Sequence, residues 1–301
     1  MVQIKGINVP VVTPFKNNEI NEDGFRTIIN YLIENKVHGI IPCGSTGETI
    51  NLRMDERKKV AEIAIDEASG RISVIVGTGD SSTDRAIELT EHAADIGADA
   101  VLLVTPFYFK PSQEAIYEYF SAIVSTIDIP ILLYMVPKFT GGVEIDPQTV
   151  VRLQEYSNII GIKMSITDIR KISTMINIAS NESFNVFAGS GSAIFATLML
   201  GGIGAVPATG NIATRMIADI YGSFVQNDFE KARELQLKIL PLDNFLTGPN
   251  GHGIPAIKVG MDMLDLDLQA GIPRSPLLPI TDKVKNELGN ILHSIGLIEN
   301  Q

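Results

Sequence analysis

At 301 residues, with 45% apolar and 20% charged, the chain can bury a sizeable core and fits one α/β barrel with an extension. Its 24 Lys and Arg against 35 Asp and Glu leave a formal charge of −11, which argues against the wide cationic surface that nucleic acid requires. Cys43 is the only cysteine, so an intramolecular disulfide and a cysteine-built zinc site are excluded, and a reducing, cytoplasmic setting is expected. The first residues carry no basic cap followed by an apolar run, and no stretch reaches the roughly 18 apolar residues of a bilayer span, so neither secretion nor membrane insertion is expected.

Short Val- and Ile-rich runs alternate with amphipathic segments, the signature of βα units. Strands are predicted over 6–15, 38–45, 72–77, 100–106, 130–137, 159–165, 184–189 and 203–209. Helices are predicted over 23–34, 55–68, 83–96, 113–125, 147–155, 169–178, 193–200 and 214–226. The fourth and fifth runs, AVLLVTP and PILLYMVP, are continuously apolar, as strands covered on both faces must be. Eight such units predict an α/β fold, a (β/α)8 TIM barrel over 1–227, with an open doubly wound sheet as the alternative. Three more helices, over 228–246, 253–264 and 281–295, predict a C-terminal helical extension over 228–301 packed on the barrel without a linker.

In a parallel barrel the chemistry lies at the carboxyl ends of the strands. The second strand runs into Gly44-Ser45-Thr46-Gly47-Glu48, where hydroxyls and accessible backbone N–H groups suit a carboxylate. The fourth runs into Thr105-Pro106-Phe107-Tyr108-Phe109-Lys110-Pro111, a stiff aromatic loop; the fifth carries Tyr134 and the sixth Lys163. An amine following an apolar run is poorly solvated, which lowers its pKa and makes it a neutral nucleophile able to form a Schiff base. Each residue also has an ordinary reading taken alone. Lys163 could snorkel into water, Tyr134 could be barrel packing, and Ser45 and Thr46 could cap a helix.

Gly189-Ser190-Gly191-Ser192, with Gly201-Gly202, offers a phosphate cradle but no basic residue, and Gly77-Thr78-Gly79 lacks the spacing of a dinucleotide fingerprint. His38, His92, His252 and His293 are scattered, so no metal site is expected. Glu48 reads as a base or, more ordinarily, as a dipole and capping residue at a helix start.

The motifs GSTGE, PFYFKP, LYMVP and GIKMS, in that order at the ends of strands two, four, five and six, resemble the dihydrodipicolinate synthase and N-acetylneuraminate lyase superfamily of class I pyruvate-dependent aldolases. The resemblance covers nearly the whole chain, including GSGSAIFATLMLGGIGAVPAT and the helical tail. It implies that Lys163 forms a Schiff base with pyruvate or another 2-oxo acid, and that Tyr134 transfers protons. By the same resemblance Ser45 and Thr46 hold the carboxylate and join the relay, Gly189 and Val206 line the pyruvyl pocket, and Tyr108 reaches a neighbouring subunit's site in a homo-oligomer, a dimer or tetramer. The iminium serves as electron sink, so no metal or organic cofactor is needed.

Two departures bear on the substrate. The synthase pattern has Asn and later Gly-Arg in the loop after strand five, where this chain has Met135 and Lys138-Phe139. The lyase's acidic pair after strand seven is Gly191-Ser192 here. A 2-oxo-3-deoxy sugar acid aldolase is therefore the leading expectation, ahead of a dehydratase of the same superfamily, dihydrodipicolinate synthase, or a noncatalytic oxo-acid-binding barrel. Lys138 could supply the missing charge, and Met135 with Phe139 would make the outer pocket apolar.

Overall fold

The computed structural model describes residues 4–179, 184–248 and 250–299. Among them, parallel strands close into a barrel: β1 (Gly6–Val9), β4 (Gly39–Ile40), β5 (Ser73–Gly77), β6 (Ala100–Val104), β7 (Ile131–Met135), β8 (Ile159–Met164), β9 (Asn185–Ala188) and β10 (Gly204–Ala205), which returns to β1. A separate hairpin pairs β2 (Phe15–Lys16) with β3 (Glu19–Ile20). The outer layer is α1 (Glu22–Glu34), α2 (Met54–Ala68), α3 (Thr83–Asp95), α4 (Gln113–Val124), α5 (Pro147–Leu153), α6 (Ile169–Ile178), α7 (Ile194–Met199) and α8 (Thr214–Val225). Helices α9 (Phe229–Thr247), α10 (Gly253–Asp262) and α11 (Asp282–Ser294) follow.

The period of two along each strand divides the core. Ile41, Ile75, Leu102, Leu132, Tyr134, Phe187 and Val206 point inward and pack together inside the barrel. Their neighbours Ile40, Val74, Val76, Val101, Leu103, Leu133, Met135, Ile162 and Met164 point outward, under the helices. This double burial explains the uninterrupted apolar runs: both faces of each strand leave water.

Every predicted strand is trimmed in the structure, and the three cut back most, to four residues or fewer from seven or more, each stop ahead of a proline. The run predicted over 6–15 ends at Val9, because Pro10 has no N–H to continue the ladder; the chain then turns at Asn17 and Asn18, both with positive φ, into the hairpin. The second strand stops at Ile40, ahead of Pro42 and of Cys43 at φ 57°. The eighth stops at Ala205, ahead of Pro207.

Helix α9 is long and carries a buried stripe of Leu235, Ile239, Leu242 and Leu246 at helical spacing, by which it packs on α8, α10, α11 and the loops that follow β9 and β10. Asp228 caps its start, accepting the Lys231 amide at 3.1 Å. The C-terminal helices are thus fastened against the end of the barrel where the strands finish.

Candidate active site

Strand β8 is buried along nearly its whole length, and alternation sends Lys163 inward between outward-facing Ile162 and Met164. Its side chain is 4% exposed. In the strand register Lys163 lies opposite Tyr134 on β7 and Phe187 on β9. Its Nζ sits 4.0 Å from the centre of the Tyr134 ring. Burial pushes the amine below the usual lysine range, and the neighbouring tyrosine offsets only part of that shift. Among the described residues, no carboxylate forms an ion pair with it.

Tyr134 is buried in the barrel interior with Phe187 and Val206. Its hydroxyl accepts a hydrogen bond from Ser165 Oγ at 3.4 Å. Ser165 in turn stands against Gly189: a Cβ on Gly189 would collide with Ser165 Oγ and with the Ser165 backbone, 2.7 Å away. Only glycine lets the end of β9 approach this closely. Ser165 went unnoticed in the sequence, although it lies two residues beyond Lys163 and so shares its face of the strand.

Ser45 and Thr46 open a 3-10 turn, Ser45–Gly47, beyond the end of β4. Its first closing bond runs from the Gly47 amide to the Gly44 carbonyl at 3.0 Å, so the amides of Ser45 and Thr46 precede the bonded ladder, as the first donors of a helix do. Thr13 fixes the turn by donating to the Gly47 carbonyl at 2.7 Å. Lys163, Tyr134, Gly189 and Val206 are brought together at the strand ends, with the Ser45–Thr46 turn on the same rim. Tyr108 is not brought to them within this chain: it is 91% exposed, at φ 82°, with its ring edge-on to Phe109 at 5.0 Å.

Several sequence readings are corrected. Glu48 does open a short 3-10 turn, Thr49–Asn51, but its side chain makes no cap bond there; it is fully buried with Oε1 2.6 Å from Lys258 Nζ of α10, while Oε2 accepts the Arg274 amide at 2.9 Å. Lys138 donates to the Thr247 and Gly248 carbonyls at 3.2 and 3.1 Å, so its charge is committed to the end of α9. Met135 has the outward parity and lines a cavity of about 410 Å³ behind the barrel wall, with Met164 and Met175, so it cannot shape the active pocket. The Gly189–Ser192 segment, already set aside as a phosphate cradle for want of a basic residue, is filled by the Asp243 carboxylate: Oδ2 accepts the Ser192 amide at 2.8 Å and Ser190 Oγ at 3.3 Å. Among the described residues no group of three His, Cys, Asp or Glu could hold a metal ion, and no helix is long and apolar enough to cross a membrane.

Residues 3–295 match the Dihydrodipicolinate synthetase family. The chain is 39% identical to the 4-hydroxy-tetrahydrodipicolinate synthase of Thermodesulfovibrio yellowstonii over 298 residues, 98% of this chain and 99% of the relative. It is equally 39% identical to the enzyme of that name from Methanocaldococcus jannaschii, with the same coverage. Among solved structures, a dihydrodipicolinate synthase superposes with a TM-score of 0.91 at 38% identity over 98% of this chain and 100% of that one. YagE, a prophage protein of Escherichia coli K12 solved in complex with pyruvate, superposes at 0.93 with 30% identity over 99% and 100% of the two chains. A fold shared along its whole length, a buried strand-end lysine against a tyrosine, and this sequence match agree: the chain belongs to the dihydrodipicolinate synthetase family of Schiff-base-forming, pyruvate-dependent lyases.

Proposed function

We propose that Lys163 Nζ is the nucleophile, attacking the keto carbon of pyruvate or of a 2-oxo acid that contains a pyruvyl unit. The observation that carries this reading is an amine buried inside the barrel, with its pKa lowered and a tyrosine rather than a carboxylate beside it. Attack forms a carbinolamine; loss of water gives the protonated imine. That iminium accepts the electron pair released when the adjacent carbon loses a proton or when a C–C bond breaks, and the resulting enamine can add to an aldehyde. The Tyr134 hydroxyl, linked to Ser165, moves protons to and from the carbinolamine oxygen, and the Ser45–Thr46 turn binds the carboxylate through its hydroxyls and opening amides.

The preferred substrate class in this reading is a 2-oxo-3-deoxy sugar acid, cleaved or formed by aldol chemistry. By the resemblance, Phe139, 59% exposed, takes the place of the arginine that would grip a second carboxylate, and Lys138 is held by carbonyls at the end of α9. A second reading, condensation of pyruvate with aspartate semialdehyde, is favoured by the names and full-length identity of the relatives. The exposed Tyr108–Phe109 pair supports a homo-oligomer, dimer or tetramer, in which Tyr108 completes a neighbour's site. A buried, free Cys43 is in keeping with a cytoplasmic enzyme.

Borohydride trapping with pyruvate, followed by peptide mass analysis, should label Lys163 alone; labelling of another lysine, or none, defeats the mechanism. Comparing kcat/KM for sugar-acid cleavage with that for aspartate semialdehyde condensation then separates the two substrate readings. A preference for the semialdehyde above tenfold, about 1.4 kcal/mol in transition-state binding, would overturn the first.

A further inference from the structure

Helix α9 belongs to the C-terminal helices, yet its side chains reach the loops after two pocket-forming strands. Asp243 is almost fully buried and makes three side-chain contacts. Oδ1 accepts the Thr209 hydroxyl; Oδ2 accepts the Ser192 amide at 2.8 Å and the Ser190 hydroxyl at 3.3 Å. Gln236, two helical turns earlier on the same face, donates to the Gly191 carbonyl at 2.9 Å and accepts the Phe195 amide at 2.9 Å. Gly191 lacks a side chain where the Asp243 carboxylate comes in: a Cβ there would collide with Oδ1, and would lie 2.8 Å from Cγ and 3.2 Å from Thr209 Oγ1.

The two loops are those that leave Gly189 and Val206. The Gly189 amide donates to the Met164 carbonyl at 2.8 Å, next to Lys163, and Gly189 backs onto the serine that bonds Tyr134. One carboxylate therefore ties β9 and β10 together at the side of the barrel that faces the Lys163 amine. Three donors converge on it, and an uncharged isostere cannot accept all of them equally, since an amide presents hydrogens where one oxygen accepted.

We infer that Asp243 is a positioning residue for the 2-oxo acid pocket: it sets the spacing between the Gly189 and Val206 walls and so governs how tightly the pyruvyl unit is held, without touching the reacting atoms. The inference rests on the reading of Lys163 as the Schiff-base lysine. Asp243→Asn keeps the shape of the side chain and disturbs the clamp. It should raise KM for the 2-oxo acid tenfold or more, while saturating pyruvate with borohydride still labels Lys163 to completion. Ser190→Ala, which removes one arm at a half-buried position, should raise KM less, and Thr209→Val by an intermediate amount. Asp243→Glu should recover part of the Asn loss, because the acceptor charge is restored.

The experiment is the set of KM values for pyruvate, each paired with the thermal midpoint of the same variant. A folded Asp243→Asn enzyme with unchanged KM overturns the inference, as does a loss that tracks the thermal midpoint across the series and shows no graded change in KM. Should Asp243→Asn not fold, the Ser190→Ala and Thr209→Val enzymes carry the test alone, and unchanged KM in both overturns it. Failure of the wild-type enzyme to trap pyruvate on Lys163 is a distinct result, which removes the Schiff-base reading itself.

Discussion

Lys163 and Lys258 are both buried lysines, and in both burial pushes the amine below its ordinary pKa. Their partners differ. Lys258 Nζ lies 2.6 Å from Glu48, 3.3 Å from the Ile272 carbonyl and 4.4 Å above the Phe15 ring, with Arg274 on the same ring at 4.3 Å. Removing its proton would strand the Glu48 charge in the interior, so the pair keeps its charges together and serves to fasten α10 to the loop after β4. Lys163 faces a ring and a hydroxyl, with no counter-charge to be stranded when the amine turns neutral. Burial alone therefore does not distinguish the two lysines; the presence or absence of a carboxylate partner does.

The sharpest way to break this contrast is Lys163→Arg, which keeps the charge and removes the usable amine. Turnover should fall by about 10⁶, the scale of losing a nucleophile, and borohydride trapping should vanish; a trapped variant would show that another lysine does the chemistry. The next effect is on stability. Lys258→Met leaves Glu48 buried without its partner and should cost about 3–5 kcal/mol in denaturant unfolding. Lys163→Met should leave stability unchanged or raise it, because a poorly solvated amine is replaced by a side chain suited to the interior. Equal losses at the two positions would erase the distinction between them.

The smallest effect is a dependence on pH. Since folding lowers the pKa of Lys163, the unfolded chain binds the extra proton between the folded value and the ordinary lysine value near 10.4. Stability set by this residue accordingly rises with pH across that window, and the penalty is full below it. The stability gained by Lys163→Met should be larger at pH 7 than near pH 10.5. A gain that grows with pH would reverse the assigned direction.

The barrel was legible because strands covered on both faces must be apolar throughout, and the runs around Leu102, Leu132 and Ile162 are. The ends of those runs made Tyr134 and Lys163 visible as strand-end residues, and alternation in the structure turns both inward. Strand alternation also held information that the resemblance to relatives obscured: Met135 follows Tyr134 and therefore points away from the pocket, and Ser165 shares the parity of Lys163. The hairpin at Phe15–Ile20 was hidden because its strands are two residues long, too short to show any period. Asp243 and Lys258 lie in helices about 80 and 95 residues beyond Lys163, and nothing local marks a carboxylate or an amine as destined for a distant loop.

That clamp also orders events during synthesis. Asn211 closes the last barrel loop, and Gly248, just past α9, emerges 37 residues later. At about 5–20 residues per second the interval lasts roughly 2–7 seconds. Throughout it the nascent chain already carries Lys163 while the Ser190 and Thr209 loops still lack their carboxylate anchor. The fastened arrangement of these two loops is consequently acquired late in translation, and a chain that stops before α9 would leave Lys163 beside unfastened loops.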